Sequence, residues 1–274
     1  MTAQTLTRND PAPPAAAATP ARSWRTIRHS LALAERTLLK MRRTPEQFFD
    51  VTIQPIIFLV LFVYLFGGAV AGSNHDYLQY VLPAIMAQTG LFSAMVIGTN
   101  LNTDIKKGVF DRFRSLPISR SAPLVGAVLG DLVRYLISVV VLLVVGSLLG
   151  FRIGTNPLLV LAAAVILVLF CQSMSWLSVL LGVTFREPGP VQAVGFLLMF
   201  PLTFGSSMFV PVQTLPGWLQ AWVHVNPVTH FVDTLRGLLT TGPIVWPLVQ
   251  TAIWGVVFVA VFAPLAVRGY RKRT

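Results

Sequence analysis

Long stretches without a formal charge limit what this chain can fold into. No Asp, Glu, Lys or Arg occurs between Asp50 and Asp76, nor from Val245 to Val267. Crossing the roughly 30 Å hydrocarbon core of a bilayer takes about 20 residues of apolar helix, and within that layer every backbone polar group needs a partner from the protein itself. Composition points the same way. With 54% hydrophobic and 11% charged residues and a mean hydropathy of +0.70, the apolar surface exceeds what one soluble core could hide. The expected fold is an all-α integral membrane protein.

Six transmembrane helices are expected, at about 48–71, 78–101, 132–150, 158–184, 191–209 and 245–267. The start of the third follows from energetics: Asp131 and Arg134 would each cost about 2.5 to 3.5 kcal/mol at mid-bilayer, so Leu124 to Gly130 are assigned to the interface. Pro55 should kink the first span. An even number of spans puts both termini on one side. Eight Lys and Arg precede the first span, five lie in the central loop and four follow the last span, and Arg134 and Arg186 join that side; only Arg152 and Arg236 fall opposite. By the positive-inside rule the first side is cytoplasmic. The net charge of +11 therefore reports orientation, and no nucleic-acid partner is expected. Trp218, Trp222 and Trp246 then lie near the outer headgroup layer.

Residues 1–22, centred on PAPPAAAATP, have too few large apolar side chains to fold and read as a disordered cytoplasmic tail. They hold no apolar core of a signal peptide. Residues 23–274 form one transmembrane domain. At its start Trp24, Ile27, Leu31, Ala34, Leu38 and Met41 recur every three or four positions among Arg25, Arg28, Arg36, Lys40, Arg42 and Arg43. That is a basic amphipathic helix, lying in the inner-leaflet interface or presenting a face to a partner. The single cysteine, Cys171, sits in an apolar run as a small core residue and excludes an intramolecular disulfide.

The central loop, Asn102 to Pro123 (NTDIKKGVFDRFRSLPISRSAP), is the one well-charged segment between long apolar runs. At 100° per residue Ile105, Val109, Phe113 and Leu116 share one face, and Asp104, Lys107, Asp111 and Arg114 the opposite one. The pattern predicts a short two-faced helix, with Gly108 in its interior at a cost of about 1 kcal/mol and an end at Leu116-Pro117. Such a helix either rests on lipid or packs against a partner.

Val210 to Pro243 is apolar yet assigned to the outer side. Two helical patterns, Leu215 to His224 and Val228 to Leu239, break at Asn226-Pro227. They read as a re-entrant outer helix pair before the last span, because irregular backbone at membrane depth is tolerated where protein surrounds it. A seventh span is the competing reading, opposed by Asp233, Arg236 and the shortness of each half.

No GxxxxGK[ST], HExxH or GxSxG motif is present, so no catalytic residues, P-loop or cofactor are assigned to this chain. His224, His230 and Asp233 form the one metal-like grouping, split by Pro227 and short of a fourth ligand; it is not taken as a metal site. Asp233 and Arg236 should satisfy each other or water. The spans carry uncharged polar residues instead: Gln88, Thr89, Ser93, Thr99 and Asn100 on the second, with Phe92 and Met95 interleaved, and Gln192, Met199, Thr203 and Ser206 on the fifth. These are either contacts between helices or a mildly polar path for an amphiphile, comprising Gln88, Phe92, Ser93, Met95, Thr99, Gln192, Met199 and Thr203. Gly126/Gly130 and Gly146/Gly150 offer GxxxG spacing for close packing. Without a carboxylate pair inside a span, proton coupling is disfavoured.

The sequences TDIKKGVFDRFRSLPISRSAPLVG, FVPVQTLPGWLQ and NPVTHFVDTLRGLL, with the order of spans, resemble the permease subunits of type-2 ATP-binding-cassette exporters, in particular the daunorubicin-resistance-like branch. The resemblance implies a two-permease, two-ATPase assembly in which ATP and Mg are held by the partner ATPase subunit. It implies that the loop docks on that ATPase through Asp104, Lys107, Gly108, Asp111, Arg112, Arg114 and Pro117. Family members often carry glutamate where this chain has Asp104. A drug, antibiotic or lipid-like small molecule would move outward through a cavity at the permease dimer interface, lined by the second and fifth spans, in a bacterial plasma membrane.

Two other functions compete: an intramembrane enzyme using His224, His230 and Asp233, and a membrane anchor without transport of its own. The orientation is open to direct test. An impermeant amine reagent applied to intact cells should leave Lys106 and Lys107 unlabelled and reach them after permeabilisation; labelling in intact cells would reverse the topology.

Overall fold

The computed structural model describes residues 45–108 and 132–273. The tail, the basic segment up to Met41 and the loop residues Asp111, Arg112, Arg114 and Pro117 lie outside the described residues, as does the Gly126/Gly130 pair. Among the described residues the chain is helical, without strands: α1 Pro45–Ala71, α2 Asn74–Lys106, α3 Leu132–Leu148, α4 Pro157–Thr184, α5 Pro188–Phe204, α6 Gly217–Val225, α7 Pro227–Leu239 and α8 Val245–Arg273, with a 3-10 turn Val212–Thr214 before α6. Four of these, α1, α2, α4 and α8, are long and apolar enough to cross a membrane; α3 and α5 are shorter apolar helices. The protein is a multi-pass membrane protein.

The helix ends carry their own stop and start signals. Ser73 caps α2 by accepting from the Asp76 amide at 3.0 Å, while Gly72 takes the left-handed φ of +74° needed by so short a link. Asn156 caps α4, and Pro188 opens α5 directly after α4 has ended at Phe185. α1 passes Pro55 without interruption.

Two boundaries differ from the sequence expectation. α2 does not stop near residue 101 but runs on to Lys106, absorbing Asp104 and Ile105. It ends there because Gly108 adopts φ +66°, with its amide on the Ile105 carbonyl at 3.0 Å. Gly108 is thus a terminator, and the two-faced helix expected to run from Ile105 through Leu116 is broken at it. The fifth helix ends at Phe204 rather than near residue 209, and Ser206 to Phe209 follow as buried non-helical backbone.

α2 is the central element. It packs against α1, α3, α4, α5 and α7 and is buried along most of its length, whereas α8 packs on α4 and α7 and exposes most of its surface. α2 therefore hides its polar residues among neighbours, and α8 offers valines and Ile253 to its surroundings. α6 and α7 turn back beside the bundle. α7 is buried against α8, α4 and α2, and its Phe231 ring lies 4.3 Å from that of Phe170.

α2 and α4 approach through glycines that no GxxxG spacing marks. A Cβ on Gly98 would overlap the Ser178 carbonyl, and one on Gly182 would overlap that of Gly98. The contact is also hydrogen-bonded: the Gly98 amide donates to Ser178 Oγ at 2.8 Å, and that hydroxyl donates to the Met95 carbonyl at 2.7 Å. Cys171 is buried where a Cβ on Gly90 would stand 2.5 Å from its sulfur. Gly146 does serve close packing, against Leu82.

Gly98→Ala should destabilise the purified protein by about 1–3 kcal/mol, the usual range for overpacking. Gly68→Ala, where an added methyl meets nothing within 4 Å, should be neutral or slightly stabilising. Thermal unfolding in one detergent checks the pair, and equal midpoints would refute the close contact.

Candidate functional site: a cavity beside α2 and a polar network at its far end

A cavity of about 410 Å³ lies between α1, α2, α3 and α5. Gln54, Arg134 and Gln192 line it from the first halves of α1, α3 and α5, and Ser93, Thr89 and Gln88 continue the polar lining along α2. Toward the other end the wall is aromatic. Phe196, Phe200 and Phe204 recur every four residues and so share one face of α5, with successive ring centroids 5.8 and 4.5 Å apart and Phe92 of α2 at 6.1 Å from Phe196. The stack continues through Phe209 to Phe62 of α1 at 5.2 and 4.6 Å.

This register divides the residues proposed for a path. Gln88, Phe92, Ser93 and Gln192 line the cavity. Met199 and Thr203 are fully buried and absent from its lining, and the Thr203 hydroxyl donates to the Met199 carbonyl at 2.8 Å. Met95 packs at the α2–α5 contact beside Gly195, and the Thr99 carbonyl accepts from Thr103. Four of the eight therefore lie outside the cavity lining. Arg134, counted on the cytoplasmic side but not among the path residues, is 6% exposed and lines the cavity, as do Gln54 and Pro55. No periodicity in α1 or α3 marks these residues; their place is set by the α2 contacts.

Below the cavity α2 is fastened to the α4–α5 turn. Asn102 is fully buried, and its Nδ2 donates to the carbonyls of Gly182 at 2.9 Å and Phe185 at 2.6 Å, taking up the last carbonyls of α4. Lys106 pairs with Glu187 at 2.5 Å on the surface, which contributes little to stability. Of the proposed docking residues, Asp104, Lys107 and Gly108 lie at this end of α2.

Above the cavity, the non-helical backbone after α5 is satisfied by side chains. Asn226 donates to the carbonyls of Leu202 and Gly205, both at 2.8 Å, and its Oδ1 caps α7 by accepting from the Val228 amide at 2.9 Å. Tyr80 donates to Ser207 O at 2.5 Å and Tyr77 to Phe209 O at 3.1 Å. Arg236 donates to Ser207 O at 3.1 Å, to Tyr80 O at 3.2 Å and to Asp233 Oδ1 at 2.7 Å, with its guanidinium 3.8 Å from the Tyr80 ring centre. Asp233 and Arg236 pair as expected, but the arginine is anchored in protein rather than in water. Among the described residues no three His, Cys, Asp or Glu converge as a metal set. Burial holds the His230 imidazole below its ordinary range, against a hydrogen bond to the His224 backbone.

These features define a class: a multi-pass helical membrane protein with an amphiphilic cavity between its helices and an irregular segment braced by a short helix pair. The ABC-2 type transporter model matches residues 28–240. The chain is 41% identical over 238 residues to the daunorubicin resistance ABC transporter permease protein DrrB1 of Streptomyces coeruleorubidus, covering 87% of this chain and 84% of that protein. It is 29% identical to the doxorubicin resistance permease DrrB of Mycobacterium tuberculosis (76% and 77% covered) and 24% identical to the probable doxorubicin resistance permease DrrC of the same species (90% and 89%). The chain belongs to the ABC-2 type transporter family.

Asn226→Leu would strand two carbonyls and one amide in a buried site. At about 1–3 kcal/mol for each group left unpaired, a loss of at least about 3 kcal/mol is expected, measured by unfolding of the purified protein. A change below 1 kcal/mol would show that Asn226 is not the brace described.

Proposed function

We propose that this chain is the permease half of an ATP-driven exporter that moves an amphiphilic drug, antibiotic or lipid-like molecule out of the cell. The observation that carries the reading is the course of α2. The same helix lines the cavity from Ile85 to Val96 and runs unbroken to Lys106, inside the charged segment that starts at Asn102. A force applied at the loop would reach the cavity wall through one rigid element, and Asn102 would pass it to α4. In this reading an ATPase subunit, holding ATP and Mg, docks on residues 102–123 through Asp104, Lys107, Gly108, Asp111, Arg112, Arg114 and Pro117. Nucleotide binding there would bias a two-state change in cavity access.

In the same reading α3 and α5 cross the membrane with the four longer helices, both termini are cytoplasmic, and α6–α7 form the re-entrant outer pair. α1 and α5 flank the cavity with exposed apolar faces, including Leu65 and Leu197; a second permease copy would cover them. The cargo is amphiphilic because the cavity is, with Gln54, Arg134 and Gln192 at one end and a stack of phenylalanines at the other. A flat aromatic molecule with a polar edge suits that wall, consistent with relatives named for daunorubicin and doxorubicin resistance.

Asp104→Lys and Asp111→Lys should lower substrate-stimulated ATP turnover of the reconstituted complex at least tenfold, with thermal stability unchanged. Phe196→Ala should leave basal turnover intact while weakening stimulation by a planar aromatic substrate severalfold. Normal stimulated turnover in both loop variants would sink the docking assignment.

A further inference from the structure

A second hollow, about 910 Å³, opens between the short helix pair and the first half of α8, away from the cavity beside α2. One wall is α7, which presents Thr229, His230 and Asp233 within a single turn; Trp246, Gln250 and Trp254 of α8 form the other. Two features mark it as more than a packing gap. Thr229 is 4% exposed, yet its hydroxyl has no hydrogen-bond partner, a deficit of a kind that buried polar groups seldom carry. Both hydrogen bonds recorded on Asp233, from Arg236 and Ser207, fall on Oδ1, which leaves Oδ2 available on a side chain one-third exposed.

We propose that this groove binds the ammonium head of an amine-bearing amphiphile. The lining contains one carboxylate and no Lys or Arg; Arg236 pairs with its Oδ1 from outside the lining, so the preference for an ammonium comes from the acceptors turned to the hollow. A primary ammonium has three N–H donors. Asp233 Oδ2 and the Thr229 hydroxyl are two acceptors, and a carboxamide oxygen is the third: Gln220 spends its Nε2 on the Leu215 carbonyl at 2.8 Å, which leaves its Oε1 to accept. The Trp246 and Trp254 faces favour a cation near their rings. Beyond them Ile253 and Val257 of α8, both exposed, line the same hollow and offer a track for an alkyl chain. That the groove faces the outer leaflet rests on the orientation proposed above; the binding itself does not.

The full chain is placed in nanodiscs of phosphatidylglycerol, which has no amine, and irradiated with a dodecylammonium probe bearing a diazirine beside the nitrogen. Labelled peptides should centre on residues 212–233 and 246–257. Asp233→Asn should cut that labelling at least tenfold and Thr229→Val about threefold. Thr229→Val removes a hydroxyl that bonds nothing in the protein, so it keeps the test valid should Asp233→Asn fail to fold. Labelling spread evenly along α8, unchanged in Thr229→Val, or matched by a dodecyl sulfate probe would overturn the proposal. Adding phosphatidylethanolamine to half of the lipid identifies the source: lost labelling assigns the site to lipid, and retained labelling assigns it to transported amines, each upholding the ammonium site. No ATPase is needed, so failure here is separable from failure of the exporter reading, which the loop variants test.

Discussion

The last carbonyls of a helix have no partner within it, and inside a bilayer no water supplies one. Two asparagines meet this need in the same way. Asn102 donates to the carbonyls of residues 182 and 185 at the end of α4, and Asn226 to those of residues 202 and 205 at the end of α5. In each case one buried amide spans two carbonyls three residues apart, and in each case the asparagine comes from another part of the chain: Asn102 from α2, Asn226 from the link between α6 and α7. These bonds close the helix ends and also fix how the elements sit on one another. If the carbonyls were stranded, α5 could not stop at Phe204 and the backbone from Ser206 to Phe209 could not be buried.

The second constraint is the position of α2. Its polar residues are too many for a lipid-facing helix, and the structure surrounds it with five others. Glycine at positions 98 and 182 lets α4 approach until backbone meets side chain and backbone. That leaves the opposite side of α2 as a cavity wall carrying Gln88, Phe92 and Ser93. Close packing on one face and open space on the other are two aspects of one arrangement, since a helix cannot approach all its neighbours equally.

Much of the architecture is legible in the residues. Uncharged runs mark the long helices, Asn226-Pro227 marks the break between α6 and α7, and the step from Thr184 to Pro188 marks a tight turn. Boundaries fail where a local rule competes with another. Gly108 fits the charge periodicity of a continuing helix, yet glycine takes a left-handed φ more readily than any other residue and ends α2. Residues 205 to 209 are apolar enough to extend α5, but Asn226, Tyr77, Tyr80 and Arg236 offer their carbonyls partners outside the helix. Those donors lie up to 132 residues away in the chain, beyond the reach of any periodicity.

By itself the sequence determined the solvent of this protein, its helical class and the segments that turn within it, because hydropathy, charge and proline act over a few residues. It also held the charged segment that begins at the end of α2. Only the tertiary structure decided which polar residues face a cavity and which face another helix. Gln192 and Thr203 are equally polar on paper, yet Gln192 lines the cavity while Thr203 is fully buried with its hydroxyl on the Met199 carbonyl. Arg134 is the plainest case: its charge counts toward the side on which α3 begins, and only its neighbours place it in the cavity wall.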